Sequence, residues 1–469
     1  MGRNEMKRRE FIGGAFALAG AAAWARTAKG GPDLKVGILS DIHLSPPDMY
    51  RSQSAIDCFV KVLEFFGKEN ADAVLIAGDL TNAGTMRELR EVSGAWSRVF
   101  GGIDKGPVKI FVTGNHEKCP MPKAKRKGGQ SGPASPDAFC LDPRKNWKEL
   151  FGEEWSPFFL KTVKGYSFVG AHWAEWRKEK ALRRFLKDNE DRLCGDKPFF
   201  YTQHAHPTDT CYGNWIWHAK DGNPTQKVLA GYPNAVSFSG HTHYTITDER
   251  TVWQGSFTSI GTGALRWVSL PDGRENGPLK KTKWRRMGNI AWGSQGMMMS
   301  VWDDRMVFER YDFVNGGKVG DDWVVPVLKD KTGPREFSFE NRRKKAVAPE
   351  FPAGAAVSFR ETSGKGPDGR DERRLELAFP AARGKDSLSR PFDYEVAVEG
   401  AVCGDTGRPL VKLVYQPGVQ WGPARDAKTV TCVFGLGELP AGKNRFAVTP
   451  LNSLGQRGRT VCASYEAAK

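Results

Sequence analysis

The chain has eight cysteines and none stands in C-x-x-C spacing, which argues against a structural zinc site of the finger or ribbon kind. Past the first 25 residues no run reaches 18 uncharged apolar positions, so nothing there reads as a membrane span. No internal repeat is visible. Gly 53 and Pro 28 stay below the roughly 25–30% that marks low-complexity chains. Acidic residues are in deficit: 54 Asp+Glu face 70 Lys+Arg, a formal charge of +16 that invites a nucleic-acid or membrane-surface reading. What is present is the composition of a globular protein, 39% hydrophobic with a mean hydropathy of -0.50. Its 469 residues suffice for two or three domains at roughly 100–200 residues each.

The N-terminus reads as an address. A basic stretch ending in Arg8-Arg9 precedes a short apolar run and the triplet Ala23-Trp24-Ala25, the order of a cleavable signal peptide over residues 1–25. The run of about 15 apolar residues falls short of the roughly 20 that span a bilayer. Arg8-Arg9 with Phe11 and Ile12 resembles the twin-arginine export signal, an ordinary secretory signal being the simpler alternative. Either way an exported protein is expected, periplasmic or extracellular. Five cysteines lie before residue 300 and three after 400, so each part keeps a free thiol unless a bridge joins them.

From residue 34 to about 238 short β-rich runs (34–39, 72–77, 108–112, 199–202) alternate with helical patterns such as Ile56, Phe59, Val60 and Leu63, which argues for an α/β layer fold. Two β-rich runs flank Lys164-Gly165, a hairpin signal. After residue 250 strands and turns take over and a second sheet is expected. Residues 336–352, basic and then Ala/Pro-rich, read as a linker. Beyond them, regularly spaced short strands over 353–469 predict an all-β sandwich whose last hairpin is similar to those of fibronectin type III or immunoglobulin-like modules.

Five of the eight histidines fall in short patterns at predicted strand ends: Asp41-Ile42-His43, Gly78-Asp79, Gly114-Asn115-His116-Glu117, His204, and Gly240-His241-Thr242-His243. One such histidine alone reads as structural. Groups that each follow a strand of an α/β sheet can converge on one crevice, however, and together they make an oxygen- and nitrogen-rich donor set suited to Mn, Fe, Zn or Ni. Two Asp, one Asn and four His suffice for two metal ions with a bridging carboxylate.

The order D-x-H, G-D, G-N-H-E, H, G-H-x-H resembles the calcineurin-like metallophosphoesterase family, over residues 34 to about 325. The resemblance implies a layered α/β/β/α domain over 33–335 and a dinuclear metal centre. It implies Asp41, His43 and His243 as ligands of one metal, Asn115, His204 and His241 as ligands of the other, and Asp79 as the bridge. The nucleophile it implies is a metal-held hydroxide, with His116 no ligand but a catalytic group facing the scissile phosphate. The glycines before these residues are expected to permit tight turns and close phosphate approach. Where purple acid phosphatases carry an iron-ligating tyrosine three residues after the bridging Asp, this sequence has Asn82, so the D-x-H opening looks instead like the branch with bacterial cyclic-nucleotide phosphodiesterases.

Around this set, His206, Trp215 and Trp217 are candidate substrate contacts, and His172 reads as structural. A Gly/Ser/Pro-rich insert between Cys119 and Cys140 could be a disulfide-closed lid, and basic clusters stand at 123–127 and 280–286. A metal-dependent hydrolase of phosphomonoesters or phosphodiesters is the leading reading. An exported nuclease or cyclic-nucleotide phosphodiesterase is the alternative. An envelope- or polysaccharide-binding protein with a vestigial phosphoesterase domain is the second. Residues 351–469 hold 17 Lys/Arg against 13 Asp/Glu, so most of the positive excess lies before them. An anionic phosphorylated substrate accounts for such a field, and nucleic acid is possible without being required.

Overall fold

The computed structural model describes residues 30–44, 55–118, 143–214, 224–271, 273–276, 293–366, 369–404, 406–421 and 427–467. Residues 1–25, read as an export signal, the Cys119–Cys140 insert, Trp215, Trp217 and both basic clusters lie outside the described residues.

Strands β1 (Leu34–Leu39), β2 (Ala73–Ala77) and β3 (Val108–Val112) pair in parallel. The helices α1 (Ala55–Lys68) and α2 (Met86–Phe100) connect them. α1 turns Phe59, Val62, Leu63 and Phe66 inward, a stripe at helical spacing. α2 starts at a capping box, in which Thr85 Oγ1 accepts from the Glu88 amide at 3.2 Å and Glu88 Oε2 accepts from the Thr85 amide at 3.1 Å, and it stops at Gly101 (φ 81). After the single turn α3 (Asn115–Lys118) and α4 (Pro143–Phe151), a second sheet opens with β4 (Phe158–Val163) and β5 (Tyr166–Ala171). Lys164 (φ 47) and Gly165 (φ 81) turn this hairpin, two successive left-handed residues as a two-residue loop requires.

Helices α5 (Glu179–Asp188) and α6 (Glu190–Leu193) lead to β6 (Phe199–Thr202), and α7 (Thr225–Leu229) leads to β7 (Ala235–Ser239). β8 (Val252–Gln254) and β9 (Thr258–Gly261) follow, giving the sheet order β4-β5-β6-β7-β9-β8. The strands between residues 252 and 326 thus do not form a sheet of their own. β8 and β9 finish the second sheet, while β10 (Gln295–Val301) pairs antiparallel with β1 and carries β11 (Arg305–Asp312), β12 (Gly317–Lys318) and β13 (Trp323–Pro326) onto the first. The reason is burial: Met297, Met299, Met306 and Phe308 join Val36, Ile38 and Leu75 of the first sheet and Phe168, Phe200 and Phe238 of the second in one core between the sheets. The alternate residues of the same strands face outward. Val74, Ile76 and Phe111 meet α1, α2 and α4, and Val169, Phe199 and Tyr201 meet α5 and α7. Four layers result, helix, sheet, sheet, helix.

Within 336–352 the chain forms α8 (Phe339–Lys345), capped by Ser338. Its buried Arg342 donates to the carbonyls of Glu249 and Val252, so this stretch is pinned to the edge of the second sheet. The C-terminal region is strand-rich: β14 (Ser358–Lys365), β15 (Asp371–Pro380), β16 (Pro391–Val402), β17 (Pro409–Tyr415), β18 (Thr429–Gly435), β19 (Gly442–Asn452) and β20 (Val461–Ala467). They form sheets β14-β15-β18 and β17-β16-β19-β20, which share a core of Leu375, Leu377, Phe434, Tyr394, Val396 and Phe446. Among the described residues no helix is long and apolar enough to cross a membrane.

Candidate metal centre

Every sequence-predicted ligand follows the carboxyl end of a strand: Asp41 and His43 after β1, Asp79 after β2, Asn115 after β3, His204 after β6, His241 and His243 after β7. The two sheets therefore deliver their ligands to one end of the domain. Past their strands the β1 and β2 loops continue to pair. Asp41 N donates to Gly78 O at 3.0 Å, His43 N to Asp79 O at 3.1 Å and Leu44 N to Leu80 O at 3.1 Å. The side chains reach the crevice through an unusual backbone. Asp41 (φ 52), His43 (φ 43), Asp79 (φ 51), His241 (φ 69) and His243 (φ 54) are half of the ten non-glycine residues with positive φ among those described. Left-handed backbone costs a non-glycine residue of order 1–3 kcal/mol, and such strain clusters at functional sites.

The ligating atoms fall in overlapping groups within 4.8 Å of one another: Asp41, His43 and His243; His43, Asp79 and His116; Asp79, His204 and His241. In the first group the Nε2 atoms of His43 and His243 lie 3.0 Å apart, and His243 Nε2 is 3.3 Å from Asp41 Oδ1. In the last, His204 Nε2 is 3.1 Å from both His241 Nδ1 and Asp79 Oδ2. Asp79 Oδ2 is also 3.5 Å from His43 Nε2, so this one carboxylate lies between the two groups, where a bridge must be. Asn115 Oδ1 is buried without a hydrogen-bond partner, an orphaned acceptor of the kind a cation satisfies. Ring nitrogens facing one another and a carboxylate at about 3 Å are a donor set that two cations would complete, so the residues present fit the group that the motifs imply.

Outer contacts fix the rings. His204 Nδ1 donates to Ala77 O at 2.7 Å and His243 Nδ1 to Trp267 O at 2.9 Å, which leaves each Nε2 to the centre. Asp41 accepts from the His241 amide at 2.9 Å and from Ser40 Oγ at 2.5 Å. Burial opposes ionisation of both carboxylates, yet the surrounding histidines, His243 foremost for Asp41 and His204 for Asp79, hold both below the usual carboxylate range. Burial alone would lower His204, but the facing Asp79 and then Asp41 raise it to about 9. For His43 burial wins over Asp41 and Asp79, and its pKa falls to about 4.

His116 stands beside this centre, partly exposed. Its Nδ1 donates to Asn82 O at 2.5 Å and its Nε2 lies 3.8 Å from Asp79 Oδ2. The next residue, Glu117, is a lock. It accepts from Thr81 N and Thr81 Oγ1, both at 2.9 Å, and from Gly114 N at 2.6 Å, tying the β3 loop to the β2 loop. Burial and then Asp79 raise its carboxyl to about 7, against these donors. The glycines make room for the ligands themselves. A Cβ on Gly114 would sit 2.0 Å from Asp79 Oδ1, and one on Gly240 would sit 2.3 Å from Asp41 Oδ2.

His206, a candidate substrate contact, is buried, with Nε2 2.9 Å from Thr242 Oγ1 and Nδ1 2.7 Å from Ser239 Oγ. His172 accepts from the Thr113 amide at 3.0 Å and packs against Trp147 and Trp155, the structural place expected of it. Two tryptophans went unread in the sequence. Trp267 stacks on His43 and His243 with ring centroids 4.8 and 4.5 Å away, and Trp173 flanks His204 and His241 at 5.6 and 5.5 Å. No motif singles either out, because what defines them is contact across the fold.

A layered α/β scaffold with these clusters at its strand ends suits a metal-dependent phosphoesterase. The model of the calcineurin-like phosphoesterase family matches residues 34–245, from β1 to just past His243, a match that supports a phosphoesterase enzyme. Curated proteins give no match. Among solved structures, a dimetal phosphatase from Danio rerio is similar at 12% identity with a TM-score of 0.39, over 63% of this chain and 99% of its own. A purple acid phosphatase from seeds of yellow lupin (Lupinus luteus) is similar at 14% identity with a TM-score of 0.40, over 65% of this chain and 56% of its own.

Proposed function

We propose that the protein hydrolyses phosphomonoesters or phosphodiesters with two metal ions. Asp41, His43 and His243 would hold one ion, Asn115, His204 and His241 the other, with Asp79 between them. The observation that carries this reading is the pair of ligand groups meeting at Asp79, with His116 beside them. When bound, two such ions supply Lewis acidity toward a phosphoryl oxygen and a hydroxide at neutral pH. The donors are oxygen and nitrogen with no thiolate, which suits Mn, Fe, Zn or Ni.

His116 has the geometry of a proton-transfer or charge-stabilising group. The Asn82 carbonyl holds the proton on Nδ1 and points Nε2 toward Asp79 and the open side of the crevice. In its protonated form Nε2 can donate to a phosphate oxygen or to the leaving oxygen. Trp173 packs beside His204 and His241 of the other ligand group. The export signal read over residues 1–25 is proposed to send the enzyme out of the cytoplasm, which fractionation of producing cells checks. Metal-loaded protein should cleave aryl phosphate mono- or diesters and chelated protein should not. Cleavage of neither by protein holding two metals per chain would overturn the assignment.

A further inference from the structure

One wall of the centre is continuous with the C-terminal region. Residues 265–276 begin at the metal ligands: Leu265 N donates to Ser40 O at 3.0 Å, Trp267 stacks on His43 and His243, and Ser269 N donates to His243 O at 2.7 Å. The same segment ends against β17, the edge strand of the four-stranded C-terminal sheet. Glu275 N donates to Leu413 O at 2.8 Å, and Asn276 accepts from Tyr415 N at 2.7 Å and donates to Tyr415 O at 3.0 Å. Between these ends, the Tyr415 hydroxyl donates to Pro271 O, Arg274 Nε donates to Asp393 Oδ2 at 3.0 Å, and Leu270 is buried with Phe392, Tyr415 and Val419. A second strut runs from the residues after His243. Gln295 takes the Ile246 amide on its Oε1 at 3.0 Å and donates from Nε2 to Gln420 O at 3.1 Å, and Thr247 Oγ1 donates to Val419 O at 2.6 Å.

We propose that the C-terminal strand-rich region is a buttress of the metal centre, with Tyr415 and Asn276 as positioning residues that set Trp267 and, through it, His43 and His243. The inference rests on the two-metal reading above. An exposed edge strand is a pairing liability, and here it is spent on holding a segment of the catalytic domain. The struts bear most directly on the first ligand group; toward the second they reach the Thr242 carbonyl beside His241, to which Ser269 Oγ donates at 2.5 Å. His204, just past β6, is instead anchored on β2, donating from Nδ1 to Ala77 O at 2.7 Å and facing Asp79 Oδ2 at 3.1 Å. Outer contacts of metal ligands are typically worth 10–100-fold in metal affinity. The loss should therefore fall on one of two ions.

The test is calorimetric titration of metal-free full-length protein with Mn²⁺, comparing wild type with Tyr415→Phe, which keeps the ring and drops the Pro271 contact, and with the exposed Asn276→Ala. Melting temperatures confirm folding. His243→Ala identifies the weakened site. We expect two ions bound in wild type and, in both variants, roughly tenfold weaker binding at the site that His243→Ala abolishes, with the other site unchanged. Unchanged binding at both sites, or equal weakening of both, overturns the buttress. Wild type that never binds two ions overturns instead the two-metal reading on which it stands.

Discussion

Gly114→Ala tests the geometry of the bridge with a single methyl group. The new Cβ would lie 2.0 Å from Asp79 Oδ1 and 2.5 Å from the Asp79 amide nitrogen, whereas ordinary carbon–oxygen contact begins beyond about 3 Å. Something must move by about 1 Å. Gly114 is held by the hydrogen bond its amide donates to Glu117 Oε2 at 2.6 Å, and Asp79 by the one Oδ1 accepts from the His116 amide at 3.0 Å, so neither side has slack. Overpacking of this kind costs about 1–3 kcal/mol of stability. The larger effect is on the site, because metal–ligand distances tolerate only about 0.2 Å. A displacement of 1 Å near reacting groups can cost about 10²-fold in rate. Purified Gly114→Ala should hold fewer than two metals per chain by elemental analysis and cleave aryl phosphate at least about 10²-fold more slowly. Gly165→Ala is the control. With φ +81 at the hairpin tip and no atom near its Cβ, it should lower the melting temperature slightly and leave metal content alone. Two metals and near-normal turnover in Gly114→Ala would refute the close approach and the bridging role that depends on it.

Three further substitutions separate the roles. Asp79→Ala removes the carboxylate between the two ligand groups and should leave one ion or fewer by elemental analysis; two retained ions with intact cleavage would remove the bridge. His116→Ala should keep both ions and lose about 10²–10⁴-fold in kcat, the usual worth of a proton-transfer group, and unchanged turnover would take His116 out of the reaction. Glu117→Gln turns an amide NH₂ toward one of the three donors that Glu117 accepts, and should destabilise the protein by about 1–3 kcal/mol in thermal melts, with no change meaning that the lock is not needed.

The candidate ligands stood out in the sequence because each is a local event, a polar residue just past an apolar strand, repeated in a fixed order. Their convergence follows from the α/β layers. Trp267 and Trp173 were not legible, since an aromatic residue earns its place by contact with residues far away in sequence, and Trp215 and Trp217, read as candidate substrate contacts, are outside the described residues. The strand-and-turn look of the chain after residue 250 announced β10 and β11 but not their partner, and only the burial of Met297, Met299 and Phe308 between the sheets selects the first sheet. The basic, Ala/Pro-rich look of 336–352 likewise concealed α8, because Arg342 is a surface residue by composition and a buried one by its two carbonyl partners.

The strain at the ligands has a consequence for the metal-free protein. Five left-handed residues and several imidazole and carboxylate groups converge on one crevice, an arrangement that cations stabilise and their removal leaves to protons. His204, raised to about 9, takes such a proton. Its pKa in the folded, metal-free protein lies above the ordinary 6.5, so it stabilises the stripped fold fully below about pH 6.5, and that contribution fades as pH rises through 9. His43 acts in the opposite direction. Lowered to about 4, it stays neutral in the fold and costs stability as pH falls from 6.5 toward 4. Metal binding must expel the His204 proton, so affinity should rise with pH up to about 9 and then level. An ion present at 100 times its Kd adds about 2.7 kcal/mol, and two such ions about 5. At roughly 2–4 °C per kcal/mol, loaded protein should melt on the order of 10 °C above stripped protein. That gap should widen between pH 6.5 and 9. Thermal melts across this range check both parts. A gap that is absent, or that narrows as pH rises, would show that protons and metals do not compete for His204 and that the crevice is held together without either.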